Sequence, residues 1–280
     1  MDEWLFDYAM ERLRATRASP SARCKVCGGR ADLFDIVDFN KSCDATLYPL
    51  GLSAIPVSYR LCTQCQFVFT DFFEGFSDVQ WQRYIYNEDY IKVDPEYLSV
   101  RPSQNANDIS TLLQGKKDSI LGLDYGGGNG MTSSLLRESG WAFDTYDPFG
   151  HTDISPDRIG RYNFCSAIEV FEHLPDPVGT LRDVTEKVSA GALIILIGTQ
   201  VLDGKISNES RLSWWYAAPR NGHVSIYSKK SLQILGAAFG LTYSCFRGYP
   251  HLLTRGMSER ETQALLVKFK LLRLKKRVLG

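Results

Sequence analysis

The sequence has 280 residues, 44% of them hydrophobic and 12% aromatic, enough for one sizeable folded domain and a smaller companion. Lys+Arg and Asp+Glu both number 32, so the formal net charge is zero, which argues against a nucleic-acid groove built on a net basic face. The opening MDEWLFDYAMERLRA is amphipathic and acidic, not a secretory leader, and the longest apolar run, Ala192 to Ile197, is far too short to span a bilayer, so a cytoplasmic location is expected.

In chain order, residues 1–20 read as an N-terminal helix: from about Asp2 to Thr16, Trp4, Leu5, Tyr8 and Leu13 fall near one face, and Ser19-Pro20 closes it. Residues 21–75 carry Cys24-Lys25-Val26-Cys27 and Cys62-Thr63-Gln64-Cys65. Each C-x-x-C places two thiolates on one tight knuckle, and two knuckles complete a closed tetrahedral zinc site. Strand-like stretches, Leu33 to Phe39 and Val57 to Leu61, lie between the knuckles and can bring them together. Seven cysteines in this pattern fit a reducing compartment and metal ligands better than disulfides. Unligated thiols or a redox pair are the alternatives. Cys43 is a substitute ligand, while Cys165 and Cys245 read as small core residues. Four thiolates leave no open position, so such an ion holds structure and takes no part in chemistry.

Residues 76–118 read as a helical, aromatic lid. Phe67 to Tyr97 is dense in aromatic side chains, read as short helices, and Ser103 to Leu113 is a final helix. Tyr90 and Arg101 are candidates for contact with cofactor or substrate; packing of the zinc module is the plainer role for the aromatic set.

The core begins at SILGLDYGGGNG, Ser119 to Gly130. Ile120, Leu121 and Leu123 make a strand that Asp124 ends, glycines follow, and MTSSLLRESG reads as a helix with Thr132 or Ser133 near its start. A strand, a glycine turn and a helix opened by free N–H groups form a nucleotide-cofactor cradle. A dinucleotide G-x-G-x-x-G needs glycine where Met131 stands, and a P-loop needs a lysine that is missing. What remains is D-x-G-x-G-x-G. Phe143 to Tyr146 is a second strand, with Asp147 before Pro148 at its C-terminal end, where an acid can accept both ribose hydroxyls of a nicotinamide or a methionine nucleoside. The next segment is too short for the usual third strand and helix, which leaves the residue facing an adenine open, Asp153 and Ile154 included. Phe164 to Ile168 is then a fourth strand, followed by Glu169-Val170-Phe171-Glu172-His173-Leu174-Pro175.

The glycine block and this E-V-F-E-H block together resemble the two hallmarks of small-molecule class I S-adenosylmethionine (SAM) methyltransferases. The resemblance implies an α/β Rossmann-like sheet over residues 119–257, mostly parallel with an antiparallel closing strand. It implies SAM as cofactor and S-adenosylhomocysteine as product. Asp124, Gly126, Gly128, Asn129 and Gly130 would face the amino-acid part of SAM, Asp147 and Pro148 its ribose, and Glu169, Val170 and Phe171 its adenosine and methionine parts. The D/N-P-P-Y/F and Pro-Cys motifs of nucleic-acid base methyltransferases are missing, so no nucleic-acid partner is expected.

Thr180 to Val188 reads as a helix and Gly191 to Thr199 as a buried fifth strand. The long segment that follows holds Trp214, Trp215 and Tyr216, candidates for an acceptor's apolar face or for lid packing, and Arg220, a candidate for substrate contact. Gly222-His223-Val224-Ser225-Ile226-Tyr227-Ser228 matches a block that this family carries before its next helix. Ser228 caps that helix, and Leu241 to Arg247 pairs with His251 to Arg255. A hydroxyl acceptor needs a base, and an imidazole suits; His223 is the first choice and His173 the second. The zinc module plus core also resembles the front part of deoxysugar C-methyltransferases, which carry a histidine at the position of His223. Those enzymes have glutamate where this chain has Gly222, and a further C-terminal domain. O-methylation of a sugar, glycan or related metabolite, nucleotide- or lipid-linked, is therefore expected ahead of C-methylation. Residues 258–280 read as a helix with six basic residues and no acid from Lys268 onward, suited to an anionic membrane or, more plainly, to solvent or packing. A NAD-dependent sugar oxidoreductase and a non-catalytic, RNA-binding zinc module are the rival readings.

Overall fold

The computed structural model describes residues 2–246 and 248–279. The first third carries α1 (Glu3–Ala18), β1 (Ser21–Arg23), β2 (Arg30–Asp38), β3 (Pro56–Cys62), β4 (Val68–Thr70), α2 (Asp78–Tyr84) and α3 (Tyr90–Val93). Then come α4 (Val100–Leu112), β5 (Leu121–Tyr125), α5 (Met131–Glu138), β6 (Ala142–Tyr146), β7 (Phe164–Ile168), α6 (Pro177–Lys187) and β8 (Leu193–Gly198). The chain ends with β9 (Ser225–Ile226), α7 (Lys229–Ala237), β10 (Thr242–Cys245), β11 (His251–Arg255) and α8 (Glu259–Leu279). These elements gather into two compact units, one of Met1–Pro95, Glu172–Val178 and Gln200–Leu235, the other of Glu96–Phe171, Gly179–Thr199 and Gly236–Gly280.

The first unit is built on an antiparallel sheet in the order β1-β2-β3-β4-β9. Asp2 caps α1 by accepting from the Leu5 N–H at 3.2 Å, and Leu5 and Ala9 are buried with Val57, Tyr59 and Val68 from the sheet. The aromatic run after Cys65 fills the rest of this core: Phe73 stacks on Trp81 at 5.0 Å, and Trp4 on Tyr84 at 5.5 Å. Within that run, short helices form at α2 and α3, but Val68–Thr70 is a strand. Its β-branched and aromatic residues pair with β3 on one side and, across some 150 positions of sequence, with β9 on the other.

The second unit holds a mixed sheet in the order β10-β11-β8-β7-β5-β6. β6, β5, β7 and β8 run parallel, β11 lies antiparallel to β8, and β10 antiparallel to β11. Every residue of β8 is buried, as a strand covered on both faces requires. Among the described residues, only a 3-10 turn, Pro156–Arg158, separates β6 from β7, so the third strand is absent as its short segment implied. That connector is pinned to β6: Asp144 accepts from Arg158 at 2.7 Å and from the Tyr162 hydroxyl at 2.6 Å. Arg247 lies outside the described residues.

In α8, Leu265, Leu266 and Phe269 are buried in the core formed with α4 and α5, while Leu271 and Leu274 are 55% and 58% exposed. Two of its cations are engaged: Arg273 pairs with Asp108 at 3.3 Å, and Lys268 donates to the Gln114 carbonyl at 3.0 Å. The side chains of residues 275–279 lie outside the described ones. No helix among the described residues is long and apolar enough to cross a membrane.

Candidate functional site

The glycine turn sits where β5, flanked by parallel strands on both sides, ends in the second unit, the edge at which open α/β sheets bind ligands. Gly126 has φ +73°, and a Cβ there would come within 2.5 Å of Val170. Gly128 has φ +58° and nothing within 4 Å of an added Cβ, so the space beside its Cα is open to an incoming ligand. The N-cap of α5 is Gly130, and Asn129 accepts from the Met131 N–H at 3.1 Å. Thr132 and Ser133 are buried inside the helix instead of capping it.

Asp124 lies under the turn, 5% exposed, and accepts from the Ser166 hydroxyl at 2.7 Å. Burial pushes its carboxyl up to about 6. Asp147, at the end of β6, accepts from the Gly128 N–H and the Phe149 N–H, both at 2.8 Å. Each of those oxygens keeps a second lone pair, and the residue is half-exposed beside the exposed Pro148. The loop after it folds back on the turn, with the His151 N–H donating to the Gly128 carbonyl at 2.7 Å. At the end of β7, Glu169 takes a left-handed φ of +56°, its N–H bonds the Gly198 carbonyl at 2.9 Å, and its carboxylate stands 3.9 Å from Arg101. Val170 and Phe171 are buried. Open space beside a glycine Cα, a half-exposed acid one strand away and an apolar wall at Val170 fit a nucleoside with an amino-acid tail.

In the first unit, Cys24 and Cys65 have sulfurs 3.6 Å apart, and Cys27 and Cys62 3.5 Å apart. A disulfide needs about 2.05 Å, whereas four thiolates at about 2.3 Å from zinc stand about 3.8 Å from one another. All four sulfurs lie within 4.8 Å of each other. The N–H groups of Val26, Gln64 and Cys65 each reach a sulfur at 3.4 Å, the first at Cys24 and the other two at Cys62. The donor set therefore fits a closed tetrahedral zinc site. Cys43 is not part of it; its sulfur lies 3.8 Å from His223 Nδ1.

A second cluster in that unit joins Glu172, His173 and His223, whose ligand atoms all lie within 4.8 Å of one another. These atoms can hold a divalent cation as well as pass a proton. His223 is 4% exposed; its Nδ1 stands 2.8 Å from the Tyr216 carbonyl, which can only accept, so Nδ1 carries the proton and the neutral ring's lone pair is on Nε2. The same Tyr216 donates its hydroxyl to Glu172 Oε1, and Glu172 is fully buried. Tyr59 donates to the His223 carbonyl at 2.7 Å, and Tyr86 OH is 3.4 Å from His173 Nδ1. Gly222 has φ +82°, and a Cβ there would meet His173 Nδ1 at 3.1 Å, so any side chain at this position is strained and crowds His173.

Of the aromatic candidates, Tyr216 is buried at this cluster, Trp214 half-buried and Trp215 50% exposed. Tyr90 is buried in the first unit, its ring 5.1 Å from that of Tyr86, whereas Arg101 belongs to the second unit. Glu172 had no role assigned from sequence; the E-H pair flanking the hallmark strand was its only signal. Nothing in the sequence pointed to Ser166 or to the fold-back at His151.

A methyltransferase-domain family model matches residues 97–245, more than half of the chain. No curated protein matches the sequence. Among solved structures the chain is similar to the mitomycin 7-O-methyltransferase MmcR, at 11% identity and TM-score 0.45, over 65% of this chain and 62% of that one. It is similar to TnmH at 13% identity and TM-score 0.45, over 64% and 61%. It is also similar to the plantazolicin methyltransferase BpumL, solved with S-adenosylhomocysteine, at 13% identity and TM-score 0.41, over 58% and 76%. The chain thus spans about three fifths of the first two, and similarity this low carries nothing about an acceptor. The family match favours the methionine nucleoside over the nicotinamide reading of the glycine turn. Residues 97–245 are a class I SAM-dependent methyltransferase domain, and the chain belongs to the methyltransferase-domain family.

Proposed function

We propose that the chain moves a methyl group from SAM to a hydroxyl of a small-molecule acceptor, a sugar, glycan or related metabolite, with His223 as general base. The observation that carries this reading is the bond from His223 Nδ1 to the Tyr216 carbonyl, which fixes the lone pair on Nε2. When bound, SAM supplies a methyl already activated on a sulfonium. The backbone of Gly128 and the Asp147 carboxylate hold the nucleoside, with Asp124 and Ser166 bracing the turn from below. His223 Nε2 takes the acceptor's proton. The Glu172 carboxylate favours the resulting imidazolium, and Tyr216 orients both groups through its carbonyl and its hydroxyl. His173 is the alternative base. Trp214 and Trp215 offer apolar faces to the acceptor. The four thiolates of Cys24, Cys27, Cys62 and Cys65 hold a structural Zn2+, which suits a reducing cytoplasm.

Carbon methylation of a deoxysugar is the second reading, favoured by the buried Glu172 carboxylate near His223. The test is transfer of labelled methyl from SAM into a glycan and metabolite library, with NMR of the product to separate O- from C-methyl. Wild type should label an acceptor and His223→Ala should not, while both bind SAM; equal labelling would remove His223 from the base role.

A further inference from the structure

A pocket of about 590 Å³ in the first unit is walled in part by Phe39, Asn40, Arg83, Asn87, Asp89 and Arg220. Its acids have their cations: Asp89 pairs with Lys92 at 2.7 Å, and Asp2, also on the wall, pairs with Arg83. Arg220 differs. It is 4% exposed, its Nη1 donates to the Ile85 carbonyl at 2.9 Å, and its Nη2 donates to Asn87 Oδ1 at 3.0 Å. Both acceptors are neutral, and among the described residues no carboxylate lies within 4.0 Å of the guanidinium; Asp89 attracts it only from beyond that distance and is itself paired with Lys92. Three of its five N–H groups remain after these two bonds.

A second cation nearby is placed in the same way. Lys41 donates to the carbonyls of Trp214, at 2.7 Å, and Ala217, and its own carbonyl accepts from the Arg220 N–H at 3.1 Å. Lys41 likewise has no carboxylate within 4.0 Å among the described residues. A charge buried against neutral acceptors is costly, and arginine cannot shed its proton to relieve it. An arrangement of this kind is complete when a ligand brings the counter-charge. A planar guanidinium matches two oxygens of a phosphoryl group side by side.

We propose that this pocket binds the phosphoryl group of a small molecule, with Arg220 as the anion's charged partner and Asn87 holding the guanidinium in place. The phosphoryl group can belong to a nucleotide-linked sugar or to a sugar phosphate. This inference rests on the small-molecule reading of the acceptor, but binding is measured here without methyl transfer, so the two fail separately.

The experiment is calorimetric titration of the full chain with uridine diphosphate and, in a second arm, with inorganic phosphate. Wild type should bind at least one. Arg220→Lys keeps the charge and loses the planar fork, and should weaken binding about tenfold. Asn87→Asp supplies an internal carboxylate where Oδ1 now accepts, at the loss of the amide's bond to the Arg83 carbonyl, and the folded variant should bind about thirtyfold more weakly or worse. Binding of uridine diphosphate alone assigns the pocket to a nucleotide-linked acceptor, and binding of both anions assigns it to a phosphomonoester. Wild type that takes up neither at millimolar concentration, or folded Asn87→Asp that binds as wild type does, overturns the proposal.

Discussion

The first unit contains two clusters of ligand-type side chains that are held in different ways. The four cysteines come from two local turns, each closed by its own backbone bonds, Gly28 N–H to the Cys24 carbonyl at 2.9 Å and Gln66 N–H to the Cys62 carbonyl at 3.1 Å. Each turn presets two sulfurs, and only the docking of β2 on β3 is needed to join them. Glu172 and His173 lie in one 3-10 turn and His223 follows another, the Val224 N–H donating to the Glu172 carbonyl at 2.8 Å, but no single turn presets the three side chains together. They are gathered by Tyr216, which holds Glu172 and His223 at once, and by Tyr59 from β3. The first cluster depends on its ligands, the second on its supports. The difference is one of sequence distance: short-range geometry is set by neighbouring dihedrals, and long-range geometry by packing.

The largest effect that would break this contrast is at Cys24. Cys24→Ser removes one thiolate from a closed site whose zinc affinity, in small domains, is folding energy of about 10–16 kcal/mol. Zinc content should fall well below one per chain, with loss of the cooperative melt; full zinc and an unchanged melting temperature would show that the knuckles do not bind metal. Next is His223→Ala, expected to lower kcat about 10²–10⁴-fold with SAM affinity unchanged, read by labelled-methyl turnover beside calorimetry.

Support residues should show smaller, graded effects. Asp124 lies beneath Gly127 of the glycine turn, bonded to Ser166, and burial raises its carboxyl from 3.8 to about 6. A group that holds its proton more tightly when folded gives stability that is complete below pH 3.8 and is lost as pH rises to about 6. The loss amounts to about 3 kcal/mol. Chemical denaturation between pH 4 and 7 should therefore show falling stability in wild type and a flatter profile in Asp124→Asn; identical profiles would move the titration elsewhere. Tyr216→Phe keeps the carbonyl bond to His223 and deletes the hydroxyl bond to Glu172. It should cost about 1.5–3 kcal/mol of stability and shift the pH profile of kcat/KM, whereas a residue that only fills space would leave that profile alone.

Legibility in the sequence followed the same divide. The knuckles, the glycine turn, β7 and the missing third strand could be read because neighbours in sequence make them. Ser228 as a helix cap was equally local: its hydroxyl accepts from the Ser231 N–H, and Ser231 returns the bond, both at 2.9 Å. The aromatic residues of β4 suit helix as well as strand, and its partner strand β9 lies far along the chain, so its local sequence does not mark it as a strand. Cys43 could be matched to the other cysteines by type but not by place, since Asn221 fixes it beside His223 by accepting its N–H at 2.8 Å. The roles of Glu172 and Tyr216 rest on contacts across some 45 positions that no periodicity records.

The central claim is that the main chain from Asp124 to Gly130, with Asp147 beside it, holds SAM. Calorimetric titration of S-adenosylhomocysteine into wild type and Asp147→Ala tests it most directly. One molecule should bind per chain, with an affinity at least tenfold weaker in the variant. No binding to wild type, or equal affinity in a folded variant, would contradict it.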